Sequence, residues 1–282
     1  MLLERFLKEP ISIQYLGTAF TQPCLEAIRS LIQHRIPIST IKLLTAPEGQ
    51  SSRHGFLMGT EQDELIAIRP GFTSGYCGEG PRGLASALQI LSAFEFQVEE
   101  HVVTLRLLNR LESAALTTQD LKFLDTSTQL TPTRLHNYIY EAGMQGRSLG
   151  TALRTFEPII PFGIIDERLA DLAIRFFEDP NARLINGYAR LEGFIKNRTG
   201  LSGAANKLFS AAFEGPTPKL RWLDLDPSEQ IGRAGLFKSA YQTYRNRRVH
   251  NEVDPNDRLD LAELLLLNNL FVLESCAVTI DG

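Results

Sequence analysis

GLFKSAYQTYRNRRVHN, residues 235–251, runs from an apolar helical face into three arginines, an asparagine and a histidine. Its reading decides whether the second half of the chain is a helical bundle. Just upstream, Asp226, Pro227 and Glu229 predict a helix start. The aspartate caps free amides, proline suits the first helical position, and glutamate at the third completes a capping box. From there Ile231, Leu236, Phe237, Ala240, Tyr241 and Tyr244 form a broad apolar side. If the helix continues through RNRRVH, Asn246 and His250 share a face, as do Arg247 and His250. Arg245 and His250 are five residues apart, which rotates them by roughly 140° with about 7.5 Å of rise. Bringing those two together requires a curved arginine side chain, a helix that ends or bends near Val249, or a second subunit.

The surrounding segments carry the same helical period. IIDERLADLAIRFF (164–177) puts Leu169, Leu172, Ala173 and Phe176 on one side, which predicts a helix. ARLINGYARLEGFIKNRTG (182–200) does so with Leu184, Tyr188, Leu191 and Ile195, and Gly200 is its expected stop. A shorter helix is expected over 204–213, and then EGPTPKLRWLDLDPS reads as a connection anchored by Trp222. The last helix is expected to begin at Asp257 or Asp260. Its leucine-rich body, AELLLLNNLFVLESCAV, is interrupted by Asn268, Asn269 and Glu274 and reads as buried rather than membrane-spanning.

The first 125 or so residues have a different grain. ISIQYLG (11–17), IPISTIKLL (36–44), GFLMG and ELIAIRPGF (64–72) and EFQVEEHVV carry strand patterns. TQPCLEAIRSLIQ, residues 83–94 and TLRLLNRLESAAL read as helices among them. Their spatial order is not readable from the pattern. TSTQLTPTR (126–134) is polar, and the run to MQGRSLG (144–150) is rich in breakers, so a boundary is expected between 126 and 155. The expected architecture is therefore α+β overall: a mixed α/β domain over 1–145, with a sensing or regulatory role, and an all-α bundle over 155–282.

One phrase of the front half invites a ligand. GFTSGYCGEGPRGLASALQIL (71–91) sets Gly78, Gly80, Arg82 and Gly83 around a helix start near Pro81. Such a loop offers amides and the positive end of a helix to an anion. It lacks the lysine and hydroxyl residue of a P-loop and departs from the dinucleotide GxGxxG form. A ligand loop, a rigid turn and a partner surface all fit it.

The totals narrow the chemistry. A net charge of -4 gives no global attraction to nucleic acid, so such a partner must meet a local patch. Cys24, Cys77 and Cys276 form neither a disulfide scaffold nor a metal-ligand spacing, and His34, His54, His101 and His136 are scattered. No metal and no cofactor are expected. MLLERFLKEP carries acids within a short apolar run, unlike a secretory segment, and the default expectation is a soluble, cytoplasmic protein.

Spacing alone leaves RNRRVH open. In one reading Arg245, Arg247 and Arg248 are solvated charges near a helix end, where cations are favoured, and His250 caps or packs locally. The other comes from a resemblance. GYARLEGFIKNRTGLSG, ANKLFSAAF, GLFKSAYQTYRNRRVHN and the leucine-rich final helix resemble the Ymh-type conserved family, a branch of the HEPN superfamily of helical bundles. RNRRVH fits that superfamily's Arg-Asn-x-x-x-His motif. The likeness covers about residues 155–278. It implies a metal-independent endoribonuclease, working as a homodimer in toxin systems or antiviral defence. By that resemblance His250 takes part in proton transfer, Arg245 binds the scissile phosphate, and Asn246 orients His250 or bonds to the phosphate. Glu192, on the earlier helix, joins the site, unless it is only a surface ion pair with Lys196. Arg247, Arg248, Lys196 and Tyr244 would contact flanking RNA; solvation explains the arginines equally well, and packing explains the tyrosine better. The implied partners are RNA, a second copy, and an antitoxin or regulatory protein, without a membrane. The alternative is a noncatalytic RNA-binding or regulatory dimer of the same fold.

Overall fold

Alternation decides how the front half packs. In a computed structural model describing residues 12–131, 133–143, 149–223, 225–250 and 253–280, Phe56 and Met58 enter one core while Leu57 between them enters another. Leu43 and Leu44 divide in the same way, as do Ile66 and Ile68 against Ala67. This is the period-two signature of a sheet covered on both faces. The strands are β1 (Ile13–Leu16), β2 (Ile38–Glu48), β3 (Ser51–Thr60), β4 (Leu65–Ser74) and β5 (Val98–Val102). Their order is β1-β4-β3-β2-β5. Strands β2, β3 and β4 form an antiparallel meander, flanked by parallel pairings of β1 with β4 and of β5 with β2.

One face carries α1 (Thr21–Gln33) and α2 (Glu79–Ala93), with α5 (Leu135–Glu141) and α6 (Leu149–Leu153). The other carries α3 (Leu105–Glu112) and α4 (Thr118–Thr126). Pro70 has no amide for the ladder, and the β3–β4 register shifts opposite it, between His54 and Phe56. Proline inside a sheet needs such an irregularity. The MLLERFLKEP stretch and residues 144–148 of MQGRSLG lie outside the described residues.

The chain divides into two compact units after Glu157. The polar stretch before it belongs to the first unit for a definite reason. Tyr138 of α5 is buried and donates to Glu100 Oε1 at 2.6 Å, while Arg134 Nη2 reaches the same oxygen at 2.7 Å. Glu100 is fully buried on β5 and also accepts from Thr45 Oγ1 at 2.8 Å. Because that hydroxyl gives its proton to Glu100, it accepts from His54 Nδ1 at 3.0 Å. His54 Nε2 is then free to accept from Ser74 Oγ at 2.8 Å. A neutral His54 is thus wired across four strands.

This row makes a pH prediction. Burial pushes the His54 imidazole down to about 4, with Glu100 partly opposing and Arg134 assisting. Burial also lowers His101. A histidine lowered in the folded state contributes stability that is present above its unfolded value, about 6.5, and lost as pH falls from there toward 4. For Glu100 burial acts upward, but the Arg134, Tyr138 and Thr45 hydrogen bonds outweigh it and hold the carboxyl low. Its contribution is therefore lost only in stronger acid. Urea unfolding read by exchange of the β2–β4 amides should lose up to about 3 kcal/mol through the His54 window. A His54→Gln variant should retain only the shallower slope due to His101.

The second unit is mostly helical. Its elements are α7 (Ala170–Ile174), α8 (Pro180–Thr199), α9 (Ala205–Phe213), α10 (Pro227–Ala240), α11 (Asn246–His250) and α12 (Asp257–Cys276). Both halves of the Asp226 capping box form, with Asp226 accepting from the Ser228 and Glu229 amides. Helix α8 ends at Gly200, whose φ of 66° is the left-handed stop that suits glycine. Gly187 inside α8 has a packing reason: a Cβ there would lie 2.5 Å from Leu267 Cδ2 of α12. Tyr188, Leu191 and Ile195 meet Phe209, Phe237 and Phe271 in one core. Trp222 stacks on Phe213 at 5.0 Å and donates from Nε1 to Leu273 O at 2.7 Å, anchoring the connection before α10.

Two expectations need correction, and a third holds. The segment 164–177 is not one helix: α7 lies between short 3-10 turns at Glu167–Leu169 and Phe176–Glu178. Asp166 caps Arg168, whose Nη1 reaches Glu274 Oε2 at 2.6 Å, so local bonds break the helix while its apolar residues stay buried. Helix α12 begins at Asp257, one of its two expected starts; Asn256 caps it by accepting from the Leu259 amide, and Asp260 accepts from the Asn256 amide at 2.9 Å. Nor is the unit all-α. Strands β6 (Leu220–Arg221) and β7 (Val278–Thr279) pair antiparallel, where the chain leaving α12 meets the segment leading into Trp222.

Candidate functional site

Helix α10 does not run straight into α11. Tyr241–Arg245 form a π-helical turn, a one-residue widening that is frequent at functional sites. Tyr241 anchors it. Its ring meets Tyr188 edge-on at 4.9 Å and Phe209 at 4.5 Å, and its hydroxyl donates to the Tyr188 carbonyl. Burial raises that hydroxyl strongly. The Glu192 carboxylate reinforces this and the Arg245 guanidinium opposes it. Glu192 of α8 and Arg245 of the turn therefore act on one buried phenol.

The structure separates the basic residues of RNRRVH by role. Arg248 is 7% exposed. Its Nε lies 2.9 Å from each Glu263 oxygen, and its Nη2 lies 2.6 Å from both Asp260 Oδ1 and Glu263 Oε2. Nη1 donates to Asn181 Oδ1 at 3.3 Å. Burial alone would pull this guanidinium down, but Glu263 and Asp260 more than offset it and leave it raised. The expected RNA contact at Arg248 is thereby corrected. Its donors are spent inside the bundle, where two buried carboxylates require a cation.

Arg245 and Asn246 are half-buried, while Arg247 and His250 are exposed. Among the described residues, none of these four side chains has a hydrogen bond or ion pair. Tyr244 sits at the margin, 36% exposed, close enough to influence the buried Tyr188 hydroxyl. Glu192 is 8% exposed, with Oε2 3.5 Å from Lys196 Nζ and Oε1 buried without a hydrogen-bond partner. It is thus more than a surface ion pair. The irregular turn ends at Arg245, and α11 is regular from Asn246 through His250. Five residues of α-helix still separate these two by roughly 140°. Among the described residues the helix ends at His250, one residue past Val249, and its departure from α geometry lies at Tyr241–Arg245.

Sequence reasoning missed the Arg248 cluster. A signal existed: Asp260 and Glu263 stand one turn apart in a helix otherwise rich in leucine. The glycine-rich loop lies in the first unit, with Gly78 just before α2. Side chains at Gly80 and Gly83 would collide with Thr73 and Thr21, so these glycines let α2 close onto β4 and α1. Arg82 is exposed there. Among the described residues, no group of three or more His, Cys, Asp or Glu side chains is arranged to hold a metal ion, and no helix is long and apolar enough to cross a membrane. Compared with protein-family models, with curated proteins and with solved structures, the chain matches none.

Proposed function

We propose that the helical unit is an endoribonuclease of the HEPN type, with Arg245, Asn246 and His250 as its site. One observation carries this reading. The three residues that fit the motif are all without partners among the described residues, as is Arg247, whereas the neighbouring Arg248 is consumed by the bundle. An imidazole can both take and give a proton, which suits proton exchange with a ribose hydroxyl. A guanidinium matches phosphate oxygens and the charge that builds on them. In the reaction the 2′-oxygen attacks the adjacent phosphorus and gives up its proton. The bond from phosphorus to the 5′-oxygen breaks, and that oxygen takes a proton. The products are a 2′,3′-cyclic phosphate and a free 5′-hydroxyl.

Glu192 is a positioning residue in this scheme, acting with Arg245 on the buried Tyr241 hydroxyl, and Arg247, Lys196 and Tyr244 contact flanking nucleotides. The rotation between Arg245 and His250 favours a second reading, noncatalytic RNA binding, whenever a chain acts alone. Incubating varied RNAs with the intact protein in chelator, and resolving product ends by mass, tests the first reading. Cyclic phosphate and 5′-hydroxyl ends are expected. Binding without cleavage across the RNA set supports the second reading, and neither binding nor cleavage removes both.

A further inference from the structure

The first unit contains a bipartite cleft whose chemistry is separate from that of the helical unit. Strands β1 and β4 are parallel neighbours, and the loops leaving their carboxyl ends lead into α1 and α2. The crevice beyond the carboxyl ends of parallel strands is the usual ligand position in open α/β sheets. Two cavities lie there. One, of about 370 Å³, is lined by Arg29, Arg82, Gly78 and Ser86 among others. The second, of about 410 Å³, is lined by Phe20, Tyr76, Thr73 and Gly80 among others. Gln22 and Glu79 line both, so the cavities adjoin.

The arginine cavity is short of anions. Among the described residues, neither Arg29 nor Arg82 makes a side-chain hydrogen bond or ion pair, and Arg29 Nε is shut off from solvent without a partner. Burial pulls the Arg29 guanidinium down, and the charges of Glu26 and Glu157 only partly oppose this. Two guanidiniums that line one cavity without a partner carboxylate suit the oxygens of an anion. The neighbouring cavity is aromatic. Phe20 is 74% exposed and Tyr76 51% exposed. The Tyr76 hydroxyl is tied to Thr73 Oγ1 at 2.8 Å, and its ring lies against Gly78, where a Cβ would meet it at 2.8 Å. The ring is therefore fixed with a face left open. Among the described residues, Glu79 is the single carboxylate lining either cavity, and it is shared by both.

An anion pocket, a carboxylate acceptor and an aromatic platform, in that order, match the phosphate, sugar hydroxyls and base of one small molecule. We propose that this cleft binds a nucleotide, with its phosphate on Arg29 and Arg82, its ribose hydroxyls on Glu79, and its base against Tyr76 and Phe20. The first turn of α2, which has no side-chain cap, adds amide donors beside the phosphate.

The test is calorimetric titration of the full chain with the four nucleoside 5′-monophosphates, with adenosine, and with inorganic phosphate. At least one monophosphate is expected to bind, and both adenosine and phosphate to bind more weakly than it by about tenfold or more. Arg82→Gln and Arg29→Gln should each weaken binding by roughly 10- to 100-fold, and Tyr76→Ala by about tenfold or more. Arg82 and Tyr76 are exposed, so their variants are expected to keep the parent's circular dichroism and melting temperature. No heat with any monophosphate at about 10 mM would overturn the proposal. So would binding that ignores Arg82→Gln and Tyr76→Ala, or phosphate binding as tightly as the best monophosphate.

Discussion

His250→Ala is expected to slow RNA cleavage by roughly 100- to 10,000-fold, the range lost when a positioned proton-transfer group is removed. Arg245→Ala should lose roughly 100- to 1,000-fold, as when one donor to a developing anionic charge is deleted. The two should differ in more than size. The arginine loss should persist across pH, whereas removing the proton-transfer group should also change the shape of the pH–rate profile. Neither side chain holds the fold together, since neither has a partner among the described residues, and both variants should melt as the parent does. Arg247→Ala, at an exposed position, should weaken RNA binding in a salt-dependent way and leave the bound-state rate nearly unchanged. Cleavage by His250→Ala at the parental rate would remove this assignment of the site.

The rotation between Arg245 and His250 gives these variants a second use. If a second copy supplies the missing half of each site, Arg245 of one chain works with His250 of the other. An equal mixture of the two single variants, unfolded and refolded together, then forms heterodimers in half of its population. Each heterodimer carries one intact site and one doubly defective site, so activity should return to about a quarter of the parent's. If each site is built within one chain, every site in the mixture lacks one residue and activity stays at the level of the single variants. The assay decides between these geometries without any assumption about how the copies dock.

What the sequence disclosed depended on whether its signals were local. The Asp226 box, the Gly200 stop and the strand alternation in GFLMG act over a few residues, and each forms where the pattern puts it. Strand order did not follow, because β1 finds β4 rather than β2, a pairing that no local pattern encodes. The segment 164–177 misled for a related reason. Its apolar spacing is helical, but Arg168 bonds to Asp166 beside it and to Glu274 more than 100 residues away, and those bonds interrupt the helix. In RNRRVH the residue types were legible and their fates were not. Four polar side chains and one buried cation have the same composition as five solvated ones. Only the position of Asp260 and Glu263 distinguishes them, and that position is a tertiary fact.

Arg248→Ala should therefore behave unlike its neighbours, costing about 3–5 kcal/mol of stability in the helical unit. The substitution strands Asp260 and Glu263, 3% and 5% exposed, without the cation that each contacts at 2.6 Å. The loss comes mainly from that uncompensated burial, which leads to a specific contrast. Arg248→Met combined with Asp260→Asn and Glu263→Gln removes the ion cluster as a whole, and it should recover much of the deficit, because no charge is left buried. Thermal and urea unfolding of the three proteins, followed by far-UV circular dichroism, would read these differences. A residue that merely held RNA phosphates would leave the melt untouched and flatten the salt dependence of RNA binding instead. An unchanged melting transition in Arg248→Ala would return Arg248 to the surface and undo the separation between a structural arginine and the unpartnered Arg245 and His250, on which the functional reading rests.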